Sequence, residues 1–117
     1  MKKSIAIIGG GNLGASIAHG LTKSNYISPE NIIVTRRKVE ALKTLESEGI
    51  TVSTDNNNAI ENSRIVILAV KPHQIKEVLM EVKDSVIKSK PLLASVVTGT
   101  KISEIKEIVG SDIKVFR

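Results

Sequence analysis

Cysteine is absent from this chain, which excludes disulfides, thiol catalysis and thiolate metal sites. Tryptophan is absent as well, and Tyr26 and Phe116 are the only aromatic side chains. Two rings are too few for a base-stacking platform, so no nucleic-acid partner is expected from the formal charge of +5. The basic residues are scattered over a solvated surface, apart from one cluster, Arg36-Arg37-Lys38, that suits a small anionic ligand. No apolar run approaches the roughly 20 residues that span a bilayer. Ile5 to Ile8, behind Met1-Lys2-Lys3, falls short of a signal-peptide core of roughly 7–15 residues. No membrane partner is expected, and a cytoplasmic location is the default. There is also no Ser-His-Asp set, no metal-ligand cluster and no carboxylate pair placed for acid–base work, so no catalytic or metal-binding residue is assigned.

What remains is an ordinary composition, 41% apolar and 25% charged over 117 residues, enough for one domain with a real core. Apolar runs alternate with helical patterns from end to end. The runs Ile5–Ile8, Ile32–Thr35, Ile50–Ser53, Ile65–Val70, Leu92–Val97 and Ile113–Phe116 are rich in Ile and Val and read as buried parallel strands. Between them, Leu13, Ile17, Ala18 and Leu21 form one helical stripe, and Val39, Leu42 and Leu45 a second, closed by Gly49. Asp55 to Asn62 holds four asparagines and allows only a short helix around Ala59-Ile60. Ile75, Val78, Leu79, Val82 and Val86 give the cleanest 3.6-residue period. Ile102, Ile105, Ile108 and Val109 form the last helix, started near Ser103 with Glu104 behind it and ended by Gly110. The expected fold class is α/β, a doubly wound parallel sheet of the Rossmann type with strand order 3-2-1-4-5-6. Residues 1–117 make one dinucleotide-binding domain. Because Lys114-Val115-Phe116-Arg117 ends on a strand-like run, the chain reads as part of a longer protein.

The first strand runs directly into Gly-x-Gly-x-x-Gly, supplied by Gly9, Gly11 and Gly14, and a helix follows. That order is the fingerprint of a dinucleotide site. Gly9 permits the turn, Gly11 lets the backbone approach a pyrophosphate, and Gly14 brings the helix close to the sheet, so the helix aims its free amides at the phosphates. Twenty-one residues past Gly14 stands Thr35-Arg36-Arg37, where an NAD site usually carries an acid; Glu40 already lies in the next helix. Charge-assisted hydrogen bonds are each worth about 1.5–3 kcal/mol. Two arginine contacts to a ribose 2′-phosphate therefore favour NADP over NAD by about two orders of magnitude, and one of the two arginines is expected to face solvent instead. Lys71-Pro72 closes the fourth run at the switch-point crevice, with the Lys71 stem lining the cleft in preference to acting as an acid. His73 reads as a surface residue at a helix start, His19 as structural.

With Ile8-Gly9-Gly10-Gly11-Asn12-Leu13-Gly14, Thr35-Arg36-Arg37, Thr54-Asp55-Asn56, Leu68-Ala69-Val70-Lys71-Pro72 and the turn ending at Gly99 assembled, the chain resembles the pyrroline-5-carboxylate reductase family over its whole length. The resemblance implies that these segments contact NADP(H): Ile8 to Leu13 at the phosphates, Asn56 near the adenosine, and Ala69, Val70, Lys71, Pro72, Val97, Thr98 and Gly99 nearer the nicotinamide. It further implies reduction of the small-molecule substrate 1-pyrroline-5-carboxylate to L-proline. A carboxy-terminal domain beyond Arg117 would form a homodimer or higher oligomer and most of the substrate pocket, leaving this chain alone inactive. Val97-Thr98-Gly99 departs from the family's two alanines before the glycine. Two alternatives stand: another NADP oxidoreductase with the same domain, such as a deazaflavin-dependent NADP reductase or a β-hydroxyacid dehydrogenase, and a non-enzymatic dinucleotide sensor.

Overall fold

Ile/Val-rich runs separated by amphipathic segments form one parallel sheet in the computed structural model, which describes residues 3–117. The strands are β1 (Lys3–Ile8), β2 (Ile32–Thr35), β3 (Thr51–Ser53), β4 (Ser63–Leu68), β5 (Leu92–Ser95) and β6 (Val115–Phe116), in the expected order 3-2-1-4-5-6. The helices are α1 (Asn12–Lys23), α2 (Lys43–Ser47), α3 (Asn56–Glu61), α4 (Ile75–Ser89) and α5 (Ile102–Val109).

Strand lengths are set by partners. β1 ends at Ile8, so β4 loses its ladder after the Ala69 amide donates to the Ile8 carbonyl (2.9 Å). β5 in turn stops once the Val96 amide has reached Leu68 (3.0 Å), and the expected strand tails Val70 and Val97 are therefore loop. The second helical stripe splits into a 3₁₀ turn, Val39–Leu42, and α2. Its three-residue spacing suits three residues per turn as well as 3.6. Leu42 and Leu45 are buried, while the Val39 side chain lies outside the described residues, as do Met1 and Lys2. Gly49 closes this segment at φ +94°.

The α1 stripe is shifted from its expected position. Gly14 and Ala18, one turn apart, are buried against the sheet, which leaves Leu13 about 100° round the helix and 53% exposed. Ser103 is inside α5 instead of capping it; Lys101 is the cap residue, and its amide donates to the Glu104 carboxylate (3.1 Å).

The sheet's two faces are covered unequally. α3, α4 and α5 pack on one face over Ala6, Ile8, Val66, Leu68 and Leu93. α1 and α2 cover the other over Ile5, Ile7, Ile32 and Val34, with Ile65 and Ile67 of β4 partly buried beside them. Parallel register places Ile67, Ala94 and Phe116 in one row on that second face, where Val96 is 41% and Phe116 56% exposed. The β5–β6 end of this face is therefore left exposed among the described residues.

A polar staple joins α3 to α4. Asp55 caps α3 by accepting from the Asn58 amide (3.0 Å), which starts a helix in asparagine-rich sequence. The buried Ser85 hydroxyl lies 2.6 Å from Asn57 Oδ1 and 3.0 Å from Glu61 Oε2, and Lys88 donates to Glu61 Oε1 (3.2 Å). The Ser85 and Lys88 hydrogen bonds hold the Glu61 carboxyl below the usual carboxylate range. A depressed folded pKa stabilises the fold above the unfolded value, and that contribution disappears as pH falls through the folded value. Glu61→Gln should therefore melt earlier than the parent at neutral pH. The gap in Tm should close as pH drops below about 4; a gap constant from pH 7 to pH 3 would contradict the staple.

Candidate cofactor-binding site

The glycine turn between β1 and α1 is fixed from below by β2: the Gly9 and Gly10 amides both donate to the Thr35 carbonyl (3.1 and 2.7 Å). Gly9 needs its φ of +103°, and a side chain there would strike the Ala69 backbone at 2.9 Å. A Cβ on Gly14 would fall on the Gly9 carbonyl oxygen, so α1 sits as close to the turn as a glycine allows. At Gly11 a Cβ would meet nothing within 4 Å. Gly11 precedes the α1 N-terminus, where no side chain caps the free amides and no acid occupies the first turn. Those amides point the helix's positive end outward, ready for an anion.

Beside the turn, a cavity of about 480 Å³ opens at the carboxyl ends of β1, β2 and β4, within the usual range for a ligand site. Most sequence-selected residues line it: Ile8, Gly9, Gly10 and Gly11 from the turn, Thr35, Arg36 and Arg37 after β2, Asn56 at the start of α3, and Ala69, Val70 and Lys71 after β4. The Thr35 hydroxyl donates to Asn56 Oδ1, which joins two of them directly. Arg36 Nη1 donates back to the Gly10 carbonyl (3.3 Å), whereas Arg37 reaches across to Glu77 (3.3 Å) with 79% of its side chain exposed. Both arginines line the cavity, and Arg37, with most of its side chain exposed, is the one that also faces solvent.

Six selected residues lie off its wall. Asn12 and Leu13 stand exposed on the first turn of α1, and Pro72 starts a 3₁₀ turn ahead of α4. The Val97 side chain is buried in the core, and its amide is taken by the Ser95 hydroxyl (3.2 Å), which leaves its carbonyl. Thr98 and Gly99 are exposed beyond it. Neither histidine lines the cavity: His73 is exposed, and His19 Nδ1 lies 2.7 Å from Glu48 on the far side of α1. No group of metal-ligating residues occurs among the described residues, and no helix there is long and apolar enough to cross a membrane.

Lys38 and Thr54, from the basic cluster and the segment before Asn56, line the cavity too, whereas sequence reasoning passed over Gln74, Glu77, Val78 and Glu81 as lining residues. These last four stand at the start of α4 or just before it. In a doubly wound fold the first turns of the helix after β4 stand at the carboxyl edge of the sheet, so their helical spacing was a usable signal.

Among known proteins, the family described as "NADP oxidoreductase coenzyme F420-dependent" matches residues 4–99. Pyrroline-5-carboxylate reductase 2 of Dictyostelium discoideum is 38% identical over 95% of the chain, and the enzyme of that name from Aquifex aeolicus is 37% identical over 97%. The chain spans 37% and 40% of those two proteins, and 20% of pyrroline-5-carboxylate reductase 1 of D. discoideum. A solved pyrroline-5-carboxylate reductase from Coxiella burnetii is 35% identical with a TM-score of 0.90, covering 98% of this chain and 43% of that one. The Plasmodium falciparum pyrroline carboxylate reductase, solved with NADP bound, is 26% identical with a TM-score of 0.83, covering 98% and 42%. With its sheet order, glycine turn and cavity, the chain belongs to the NADP oxidoreductase (coenzyme F420-dependent) family.

Proposed function

We propose that this chain is the NADP(H)-binding part of a reductase acting on a C=N bond, with 1-pyrroline-5-carboxylate as substrate and L-proline as product. The observation that carries the reading is the convergence of an uncapped helix N-terminus, a Cβ-free approach at Gly11 and the Arg36-Arg37-Lys38 cluster on one cavity. These residues suit a dinucleotide bearing a third phosphate. The α1 amides would hold the pyrophosphate, Arg36 and Arg37 the 2′-phosphate, and Thr35 with Asn56 the ribose beside it. Ala69, Val70 and Lys71 would wall the nicotinamide end, with the Val97 carbonyl and Thr98-Gly99 nearby. When bound, NADPH supplies the hydride. The protein's share is to orient the cofactor and exclude water.

The substrate pocket belongs to a larger parent in this reading, a homodimer or higher oligomer working in the cytoplasm. The exposed end of the sheet face bearing Val96 and Phe116 supports a further domain there. The isolated chain should then bind NADPH with little or no turnover. Titration with NADPH and NADH provides the cofactor test. Arg36→Ala and Arg37→Ala should each weaken NADPH binding about tenfold while NADH binding changes little. Equal affinity of the unaltered chain for both cofactors would refute the phosphate clamp. The substrate assignment is tested on the full-length parent, which must oxidise NADPH when given the pyrroline carboxylate. Because the family's description names coenzyme F420, the parent should also be given the reduced deazaflavin with NADP+ as the hydride acceptor. Reduction of NADP+ by that donor, with no oxidation of NADPH by the pyrroline carboxylate, would favour a deazaflavin-dependent NADP reductase.

A further inference from the structure

The wall opposite the arginine cluster is acidic. Glu77 and Glu81, one turn apart on α4, both line the cavity. Glu77 Oε1 lies 3.3 Å from Arg37 Nη2, and the Glu81 carboxylate lies 3.4–3.5 Å from Asn56 Nδ2. Asn56 meanwhile accepts from Thr35, so the acids reach both groups that flank the end of β2. We propose that Glu77 is a specificity-determining residue that limits this chain's preference for a 2′-phosphorylated dinucleotide, with Glu81 supporting it one turn on. The inference rests on the dinucleotide reading of the cavity.

A ribose 2′-phosphate brings a charge of about −1.5 to −2. To use Arg37 it must draw the guanidinium away from Glu77 and then sit beside a carboxylate. A free 2′-hydroxyl meets the reverse situation, because a hydroxyl donates readily to a carboxylate, the role an acid after β2 plays in NAD sites. This chain has arginines at that place in the sequence, but the fold brings the acid back from a helix 40 residues downstream. Arg36 and Lys38 on the same wall keep the balance positive, so the phosphate still wins, by less than two guanidiniums alone would give.

The test is titration of the unaltered chain, Glu77→Gln, Arg37→Ala and the double variant with NADPH and NADH. Both side chains are exposed, and circular dichroism checks that each variant folds. Glu77→Gln should raise the ratio of NADPH to NADH affinity about three- to fivefold, the scale of one exposed ion pair. In the Arg37→Ala background that gain should shrink below about twofold. A ratio that stays put in Glu77→Gln, or falls because Glu77 positions Arg37 for the phosphate, overturns the proposal while the site reading survives. Failure of the unaltered chain to bind either cofactor overturns both.

Discussion

Gly14→Ala is expected to destabilise the chain by about 2–3 kcal/mol, or to prevent folding altogether. The added Cβ would land on the Gly9 carbonyl oxygen and within 3.1 Å of that residue's carbonyl carbon, with Ile7 Cγ2 at 3.3 Å. Backbone cannot rotate away as a flexible side chain can. α1 would have to lift off the turn, and with it Ala18, which is wholly buried under the same helix. Alanine ordinarily favours a helix over glycine by about 1 kcal/mol, so the expected sign is opposite to propensity. Gly20 supplies the control within the same helix, because a Cβ there meets nothing within 4 Å. Gly20→Ala should stabilise by about 0.5–1 kcal/mol. Urea unfolding of the three proteins, compared at equal slope, separates the two effects. A Gly14→Ala midpoint equal to that of Gly20→Ala would show that helix and turn are not in the contact described.

Gly14 and Gly10 mark what sequence could and could not reveal. Strand order followed from alternation, handedness and Ile/Val content, since a parallel sheet covered on both sides leaves few arrangements. The role of Gly14 followed from its place in a spaced triplet. Gly10 carried no such signal, yet a Cβ there would strike Leu42 at 2.7 Å and Val34 at 2.9 Å, contacts made only once β2 and the 3₁₀ turn after it are in place. Leu13 fitted the apolar stripe by count, but small residues at 14 and 18 decided which face met the sheet. Val97 was expected near the nicotinamide from the family resemblance, whereas its side chain is buried in the core. Glu77 and Glu81 were passed over because a charge on an exposed helix looks like solvation until the fold places a guanidinium opposite. Local pattern sets elements and their order; which charges face each other is a property of the crossovers.

Gly11→Val should leave the fold close to intact and remove dinucleotide binding, the reverse of Gly14→Ala. Gly11 has ordinary extended backbone angles, φ −74° and ψ −165°, so valine incurs no left-handed strain there. Its Cβ has open space around it, and the cost to stability is limited to a poorer helix cap, up to about 1 kcal/mol. The binding cost is larger. Two methyl groups would stand beside the free α1 amides and hold a pyrophosphate away from them. Charge-assisted hydrogen bonds contribute about 1.5–3 kcal/mol each, so losing two weakens NADPH binding by about a hundredfold or more. NADH should lose as much, because the pyrophosphate is common to both cofactors. That equality distinguishes Gly11 from Arg36 and Arg37, whose removal acts on NADPH alone. Calorimetric titration of Gly11→Val with each cofactor, beside a thermal melt, decides the matter. Unchanged affinity in a folded variant would mean that the turn binds no pyrophosphate, and that Gly11 is open space without a ligand.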